Sequence, residues 1–162
     1  MATVSRAGTP RAWPWFLAAA GVVLADRLTK WLLLGWLRPG ESYEVTGFFN
    51  LVLVYNRGAA FSFLADAPGW QTPFFAAVAI VAAAVVSWML WRHPARTLLC
   101  SGLALILGGA LGNLWDRLAW GAVADFLDFH AFGWHWPAFN IADSAITVGA
   151  VILIVEGFAH RD

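Results

Sequence analysis

Residues 98–118 read LLCSGLALILGGALGNLWDRL, and this stretch decides the class of fold. A helix that spans a bilayer needs about 20 consecutive and mostly apolar residues, which this run supplies. Apart from Ser101, its polar side chains gather at the carboxyl end, at Asn113, Asp116 and Arg117. The run therefore predicts a membrane-spanning helix with one polar end.

Three other stretches have the same character, at residues 13–36, 70–91 and 137–158. The first begins like a signal peptide, but its apolar pattern resumes after Lys30, which favours a retained span. The chain is 60% hydrophobic and only 12% charged, far from the composition of a soluble domain. We predict a mainly α membrane protein with four transmembrane helices, forming one integral membrane domain over residues 1–162.

Charge and cysteine content exclude other classes of protein. Ten basic residues balance ten acidic ones, which argues against a nucleic-acid partner. Cys100 is the single cysteine, so the chain has no intrachain disulfide. It lies in an apolar run and is interpreted as a small core residue.

The positions of the arginines predict the orientation in the membrane. Five of them fall on one side of the predicted bundle: Arg6, Arg11, Arg92, Arg96 and Arg161. Positive charge in short loops marks the cytoplasmic side, so both termini are expected in the cytoplasm. The longer connections, residues 37–69 and 119–136, then face outward.

The two outer connections differ in their predicted structure. Residues 43–55 are rich in Val, Phe, Leu and Tyr, which favours short strands in a small extracytoplasmic sheet lying on the membrane. Residues 119–136 are rich in Trp and Phe and are interpreted as an interfacial segment that leads back into the bilayer.

Polar residues that belong to four separate stretches reach the same outer depth. Ionisable groups inside spans are expensive and point to function by default. The set consists of Asp26 with Lys30, Asn113 with Arg117, Asn140 with Asp143, and Asp125. The first two pairs are four residues apart and share a helix face. Asn140 and Asp143 are placed in the first two turns of the fourth span.

Several polar or small residues also have a purely structural interpretation. Asp26 and Lys30 could form an ion pair that only links helices, and this alternative stays open. Asp116 is interpreted as a charge at a helix end. The spacing of Gly108 and Gly112 indicates close helix packing.

Three residues of the second outer connection could suggest a metal site. Asp128, His130 and His135 lie close together in sequence, but their spacing matches no strong metal-binding motif. Solvation at the membrane interface explains them better, and we expect no metal and no cofactor.

Asp125 and Asp143 form the most informative pair. Asp143 has no Lys or Arg within a helical turn in sequence, and its helix is otherwise apolar. Two carboxylates held close in a medium of low dielectric constant tend to share one proton. The ionised one can deprotonate a water while the protonated one assists the leaving group, which is the chemistry of amide hydrolysis without a metal.

Five motifs in order resemble the lipoprotein signal peptidases, the type II signal peptidases of bacteria. They are Asp26-Arg27-Leu28-Thr29-Lys30, Asn56-Arg57-Gly58-Ala59-Ala60-Phe61, the run from Gly108 to Arg117, Val123-Ala124-Asp125-Phe126 and Phe139-Asn140-Ile141-Ala142-Asp143. A single motif would be a weak signal, but five in order together with four predicted spans are specific.

The resemblance implies a membrane-embedded aspartic endopeptidase with Asp125 and Asp143 as the catalytic pair. Its substrate would be a prolipoprotein bearing a diacylglyceryl group on a cysteine, cut just before that cysteine. The implied substrate-binding and supporting residues are Asp26, Lys30, Asn56, Gly58, Asn113, Arg117, Asn140 and Ala142. The enzyme would be a monomer among the lipids of the bacterial inner membrane, with its site near the outer leaflet.

Two other classes of protein could use such residues. A small proton-coupled transporter or channel subunit also carries intramembrane acids and bases. The polar residues crowd one leaflet rather than line a path across the membrane, which disfavours a transporter. A structural assembly protein with paired charges between its helices is the weaker alternative.

Overall fold

The computed structural model describes residues 10–58 and 69–159 as four helices and four strands. The helices are α1 (Trp13–Leu34), α2 (Gln71–Arg92), α3 (Thr97–Trp120) and α4 (Ile141–Ala159). The strands are β1 (Ser42–Thr46), β2 (Phe49–Asn56), β3 (Val123–Ala131) and β4 (Trp134–His135). Arg6, Arg161 and the last three residues of the second motif lie outside the described residues.

The central helix is α3, which packs against each of the other three helices. It is also the helix with the most buried positions, and small residues on its surface let its neighbours approach closely. A Cβ atom on Gly108 would lie 2.6 Å from the Ala19 carbonyl oxygen of α1. A Cβ atom on Gly109 would collide with the Ala142 carbonyl oxygen of α4. The prediction that glycine spacing in this run marks close helix packing is confirmed.

The end of the bundle remote from the sheet is closed by side-chain contacts between different elements. Trp15 donates from Nε1 to the Pro94 carbonyl oxygen at 3.2 Å, and Arg96 forms an ion pair with Glu156. Cys100 is fully buried, and its Sγ lies 3.1 Å from the His93 carbonyl oxygen. Cys100 is a core residue, as predicted.

A four-stranded antiparallel sheet, in the order β1-β2-β3-β4, lies at the other end of the bundle. The predicted strands within residues 43–55 are confirmed as β1 and β2. Residues 119–136, interpreted as an interfacial segment that leads back into the bilayer, form the end of α3 followed by β3 and β4, and these two strands were not predicted. Aromatic and β-branched residues suit a strand as well as an interface, and composition alone did not separate the two.

The fourth helix begins later than the predicted residue 137. Phe139 still pairs with β3, donating to and accepting from Leu127 at 3.1 and 2.8 Å. Asn140 therefore precedes α4 rather than lying in its first turns. Its Oδ1 accepts a hydrogen bond from the Asp143 backbone N–H at 2.8 Å, and Asp143 Oδ2 accepts from the Asn140 N–H at 3.3 Å. This reciprocal pattern is a capping box, which defines the start of the helix.

Three helices of the described chain, α2, α3 and α4, are long and apolar enough to cross a membrane. The first helix has the length, at 22 residues, but carries Asp26, Arg27 and Lys30. Length and apolar composition therefore do not by themselves identify α1 as a span.

The close approach of α1 and α3 gives a stability prediction. Gly108→Ala pushes a methyl group against the α1 backbone and should lower stability by about 1–3 kcal/mol. Gly21→Ala is the matched control, because nothing lies within 4 Å of a Cβ at Gly21. There, higher helix propensity should leave stability unchanged or slightly raised. Thermal unfolding of the purified proteins in detergent measures both, and equal melting temperatures would contradict the packing argument.

Candidate active site

Asp125 and Asp143 meet where the start of β3 approaches the first turn of α4. Asn140 contacts both: its side-chain Nδ2 donates to Asp125 Oδ1 at 2.7 Å, and its backbone N–H donates to Asp143 Oδ2. Both aspartates also line one cavity of about 330 Å³. The predicted approach of the two acids is thus present in the structure.

Asp125 is held by amide groups on both of its oxygens. Besides Asn140 on Oδ1, Asn56 at the end of β2 donates from Nδ2 to Oδ2 at 3.2 Å. The side chain is only 2% exposed, and burial raises the pKa of Asp125 to about 7, with the charge of Asp143 adding to the effect. The two amides and Lys30 act in the opposite direction on this pKa. Burial therefore favours the protonated form of Asp125.

Asp143 occupies the first turn of α4, where the positive end of the helix dipole favours a carboxylate. Asn113 of α3 donates from Nδ2 to Asp143 Oδ1 at 2.7 Å. The Oδ1 of the same Asn113 lies 3.3 Å from Asn140 Nδ2. Asn113 and Asn140 therefore orient each other and both acids.

A buried cation lies behind the acid pair. Lys30 is 1% exposed, and its Nζ contacts Asp26 Oδ2 at 2.8 Å and Asp116 Oδ2 at 2.7 Å. Asp116 also forms an ion pair with Arg27. All four side chains come from α1 and α3, so the cluster ties these two helices together at the end nearest the sheet.

The two carboxylates that hold Lys30 also bind the backbone beside each active-site acid. Asp26 Oδ1 accepts from the Ala142 N–H at 3.1 Å, one residue before Asp143. Asp116 Oδ2 accepts from the Ala124 N–H at 3.2 Å, one residue before Asp125. The charged cluster therefore fixes the position of β3 and of α4 relative to the same ammonium group.

Asp116 lies near the end of α3, as the sequence suggested, but it is more than a helix-end charge. It is fully buried and has charged partners on α1 and a backbone partner on β3. Arg27 was missed as well, and its guanidinium also packs over the rings of Trp120 and Trp115, at 4.8 and 5.8 Å. The sequence signal that could have assigned Asp116 to the site is its spacing. It lies three residues after Asn113 and therefore shares a helix face with that residue.

The end of β2 is joined to the site by Arg117 and Asn56. Arg117 Nη2 donates to the Gly58 carbonyl oxygen at 2.9 Å, and the Gly58 N–H donates to Asn56 Oδ1 at 2.9 Å. The structure therefore brings all ten residues singled out from the sequence into one connected region.

His130 of β3 and His135 of β4 do not line the cavity that contains Asp125 and Asp143. His135 Nδ1 contacts Asp128 at 2.9 Å, and the rings of His130 and His135 stack at 4.9 Å. Within residues 10–58 and 69–159, no group of three or more His, Cys, Asp or Glu side chains could hold a metal ion. The chemistry available at the site is that of two acids with amide and cationic neighbours.

The buried cluster gives a prediction that is independent of any activity. Lys30→Met leaves Asp26 and Asp116 facing each other without their ammonium group, which should cost about 3–5 kcal/mol of stability. Arg96→Gln removes the cation from one buried carboxylate rather than two, since Glu156 is 8% exposed and Arg96 is 43% exposed, and it should cost less. The melting temperatures in detergent at neutral pH provide the comparison. A Lys30→Met protein as stable as Arg96→Gln would show that the cluster does not hold the helices.

Comparisons with known proteins agree with this geometry. The sequence family described as Signal peptidase (SPase) II matches residues 18–159. A lipoprotein signal peptidase of Paraburkholderia phytofirmans is 59% identical over 143 residues, covering 88% of this chain and 83% of the relative. A lipoprotein signal peptidase of Burkholderia thailandensis is 53% identical over 154 residues, covering 95% and 93%.

Solved structures give the same result for the fold. Two structures described as bacterial membrane enzymes superpose with TM-scores of 0.81 and 0.78, at 31% and 32% identity. The first alignment covers 90% of this chain and 88% of the other, and the second covers 92% and 94%. The fold is therefore that of a membrane enzyme, mainly helical with a small antiparallel sheet. With the family match spanning most of its length, the chain belongs to the signal peptidase II family and is a peptidase.

Proposed function

We propose that Asp125 and Asp143 are the catalytic pair of this membrane-embedded aspartic endopeptidase. The observation that carries the proposal is the bridge through Asn140, which binds one acid by its side chain and the other by its backbone. The asparagine is fully buried, so the two acids are held together in a single rigid unit. The cavity beside them gives a substrate access to both.

The chemistry follows from one proton shared by the pair. The ionised carboxylate takes a proton from water as the water oxygen bonds to the scissile carbonyl carbon. The protonated carboxyl hydrogen-bonds the carbonyl oxygen and then supplies a proton to the nitrogen as the C–N bond breaks. The products are a new carboxyl terminus and a free amine, and the pair again holds one proton. The two acids titrate as a unit.

The proposed substrate is a prolipoprotein with a diacylglyceryl-modified cysteine, cut just before that cysteine. Relatives with 53–59% identity are named lipoprotein signal peptidases, which supports this choice. The cavity on the sheet side meets a second cavity of about 290 Å³ between α2, α3 and α4, and both are lined by Asp143 and Thr147. A scissile bond at that meeting point would have one apolar space on each side, as a signal peptide followed by a lipidated residue requires.

Arg117 is the proposed ligand for the substrate backbone. It lines the second cavity, and its Nε is buried without a hydrogen-bond partner among the described residues. A buried donor without a partner is costly, so a substrate carbonyl that accepts from it would bind favourably. The other two guanidinium nitrogens are engaged by Gly58 and Asn113.

We also propose that α1 is a fourth transmembrane helix, so that residues 1–162 form one membrane domain. Its charges do not argue against a span, since Asp26 and Lys30 are buried in the cluster and Arg27 pairs with Asp116. The arginines at the other end support cytoplasmic termini and a site near the outer leaflet of the bacterial inner membrane. The site is complete within one chain, which supports a monomer surrounded by lipid. A transporter is not favoured by the family.

Amide substitutions test the catalytic pair. Asp125→Asn or Asp143→Asn should lower the cleavage rate of a diacylglyceryl-modified prolipoprotein by at least about 100-fold. The single acid that remains cannot act both as the base for water and as the proton donor to the leaving nitrogen. Asp128→Asn is the matched control, on the same strand as Asp125 but bonded to Asn50 and His135 away from the cavity. It should cleave at close to the normal rate. Near-normal cleavage by either active-site variant, with the protein folded, would remove that residue from the mechanism.

The raised pKa of Asp125 predicts a particular dependence of stability on pH. The folded protein holds this proton up to about pH 7, whereas an unfolded chain releases it near the ordinary value of 3.8. Stability should therefore fall as pH rises between these two values, and Asp125→Asn should remove much of that fall. Its melting temperature relative to the unmodified protein should increase from pH 4 to pH 7. A constant difference across that range would contradict the assignment.

A further inference from the structure

An aromatic patch extends along the sheet away from Asp125, and one of its members, Trp136, also lines the cavity beside the two acids. It consists of five side chains from the β1–β2 turn, the β3–β4 hairpin and the residue after β4, and we call it the aromatic tip: Phe48, Phe129, Phe132, Trp134 and Trp136. The two turns are adjacent, because the His130 N–H donates to the Phe48 carbonyl oxygen at 2.9 Å. All five side chains are exposed.

The hairpin turn itself is unusual. Phe132 has φ of 52° and Gly133 has φ of 78°, so both turn residues are in the left-handed region. Such turns favour Asn-Gly or Asp-Gly, and a bulky residue at the first position is strained. Within the part of the chain that the structure describes, the Phe132 side chain is fully exposed and offsets none of this strain by packing. The ring is therefore placed for contact with something outside the chain.

A shallow cavity widens the apolar surface next to the tip. It has a volume of about 520 Å³ and is lined mostly by rings, including Phe48, Phe129, Trp134 and Phe139. Contiguous exposed apolar side chains of this kind are typical of sites that bind proteins or membranes. Trp and Phe with polar groups nearby are typical of the boundary between lipid headgroups and acyl chains.

The route of the chain fixes the base of the hairpin at one end of the helix bundle. The hairpin leaves from the end of α3 and returns to the start of α4, and both helices are apolar and long enough to span. A strand of nine residues reaches about 30 Å from that edge. A sheet attached at both ends to the bundle can project into water or lie along the membrane surface. Only the second arrangement removes the rings of the aromatic tip from water.

Charge indicates which kind of lipid contact is involved. Residues 121–139 contain no Lys or Arg, and Asp128 is paired with His135 and Asn50. The tip therefore offers no cation to an anionic headgroup, and its binding must come from apolar insertion. We propose that the aromatic tip inserts into the interfacial region of the lipid monolayer on the sheet side and anchors the hairpin there.

The anchor would restrain the strand that carries Asp125 at both ends. One end is held through Ala124 by Asp116, and the other would be held by the bilayer. Since a lipidated cysteine also sits in that monolayer, the anchor would set the depth of the acids relative to the scissile bond. This consequence rests on the proposed function, whereas the insertion itself does not.

A spin label placed beside the rings measures the insertion directly. Cys100 is changed to Ala, and Ala131→Cys, an exposed position next to Phe132, is labelled with a nitroxide in nanodiscs. Collision rates with oxygen, which concentrates in lipid, and with a water-soluble nickel chelate report the depth. Val81→Cys on the outside of α2 and Glu44→Cys on exposed β1 give the lipid and water references.

Insertion predicts that the label at residue 131 is shielded from nickel relative to the Glu44→Cys reference, equally in neutral and in anionic lipid. Adding Phe132→Ser and Trp134→Ser should abolish that shielding, while Tyr43→Ser, which removes an exposed ring from β1, should not. Nickel access equal to that of the Glu44→Cys reference would overturn the proposal. So would low access to both reagents with spin–spin broadening, which would indicate a second copy of the chain. None of these readings requires cleavage, so they separate failure of the anchor from failure of the proposed function.

Discussion

The ammonium group of Lys30, buried between Asp26 and Asp116, is the interaction on which the arrangement of the site depends. Removing three charged groups from water is expensive, and mutual attraction repays this only when geometry and hydrogen bonds are good. Here each carboxylate uses its remaining capacity on a backbone N–H, one of Ala142 and one of Ala124. The burial of charge is thus coupled to the placement of the two residues that follow, Asp143 and Asp125.

This coupling explains why the small residues of α3 matter to function as well as to packing. A Cβ on Gly112 would lie 2.9 Å from Asp26 Oδ2, and one on Gly109 would meet the carbonyl of Ala142. Glycine at these positions lets α1 and α4 approach α3 closely enough for the charged cluster to reach both backbones. Asn113, one residue further along, then contacts Asp143 directly. Helix packing, ion pairing and the orientation of the acids are consequences of one short run of sequence.

The sequence predicted the helices and identified polar residues that the fold brings together, because both leave strong local signals. Long apolar runs identify helices, and polar residues inside them are rare enough to be singled out one by one. The start of α4 was misplaced because Pro137 and its aromatic neighbours suit a span as well as the extended segment that pairs with Leu127. The hairpin of β3 and β4 was missed because its rings are equally typical of a membrane interface. Asp116 was misjudged since its partner Lys30 is 86 residues away, and no local pattern reveals such a pairing.

In the proposed mechanism, two acids and one water molecule carry the whole reaction. The most direct test uses the purified protein in detergent with a diacylglyceryl-modified prolipoprotein, in the presence and absence of a strong metal chelator. We expect cleavage just before the lipidated cysteine at the same rate in both samples. Cleavage that is lost with the chelator and restored by added metal would contradict a mechanism carried by Asp125 and Asp143 alone.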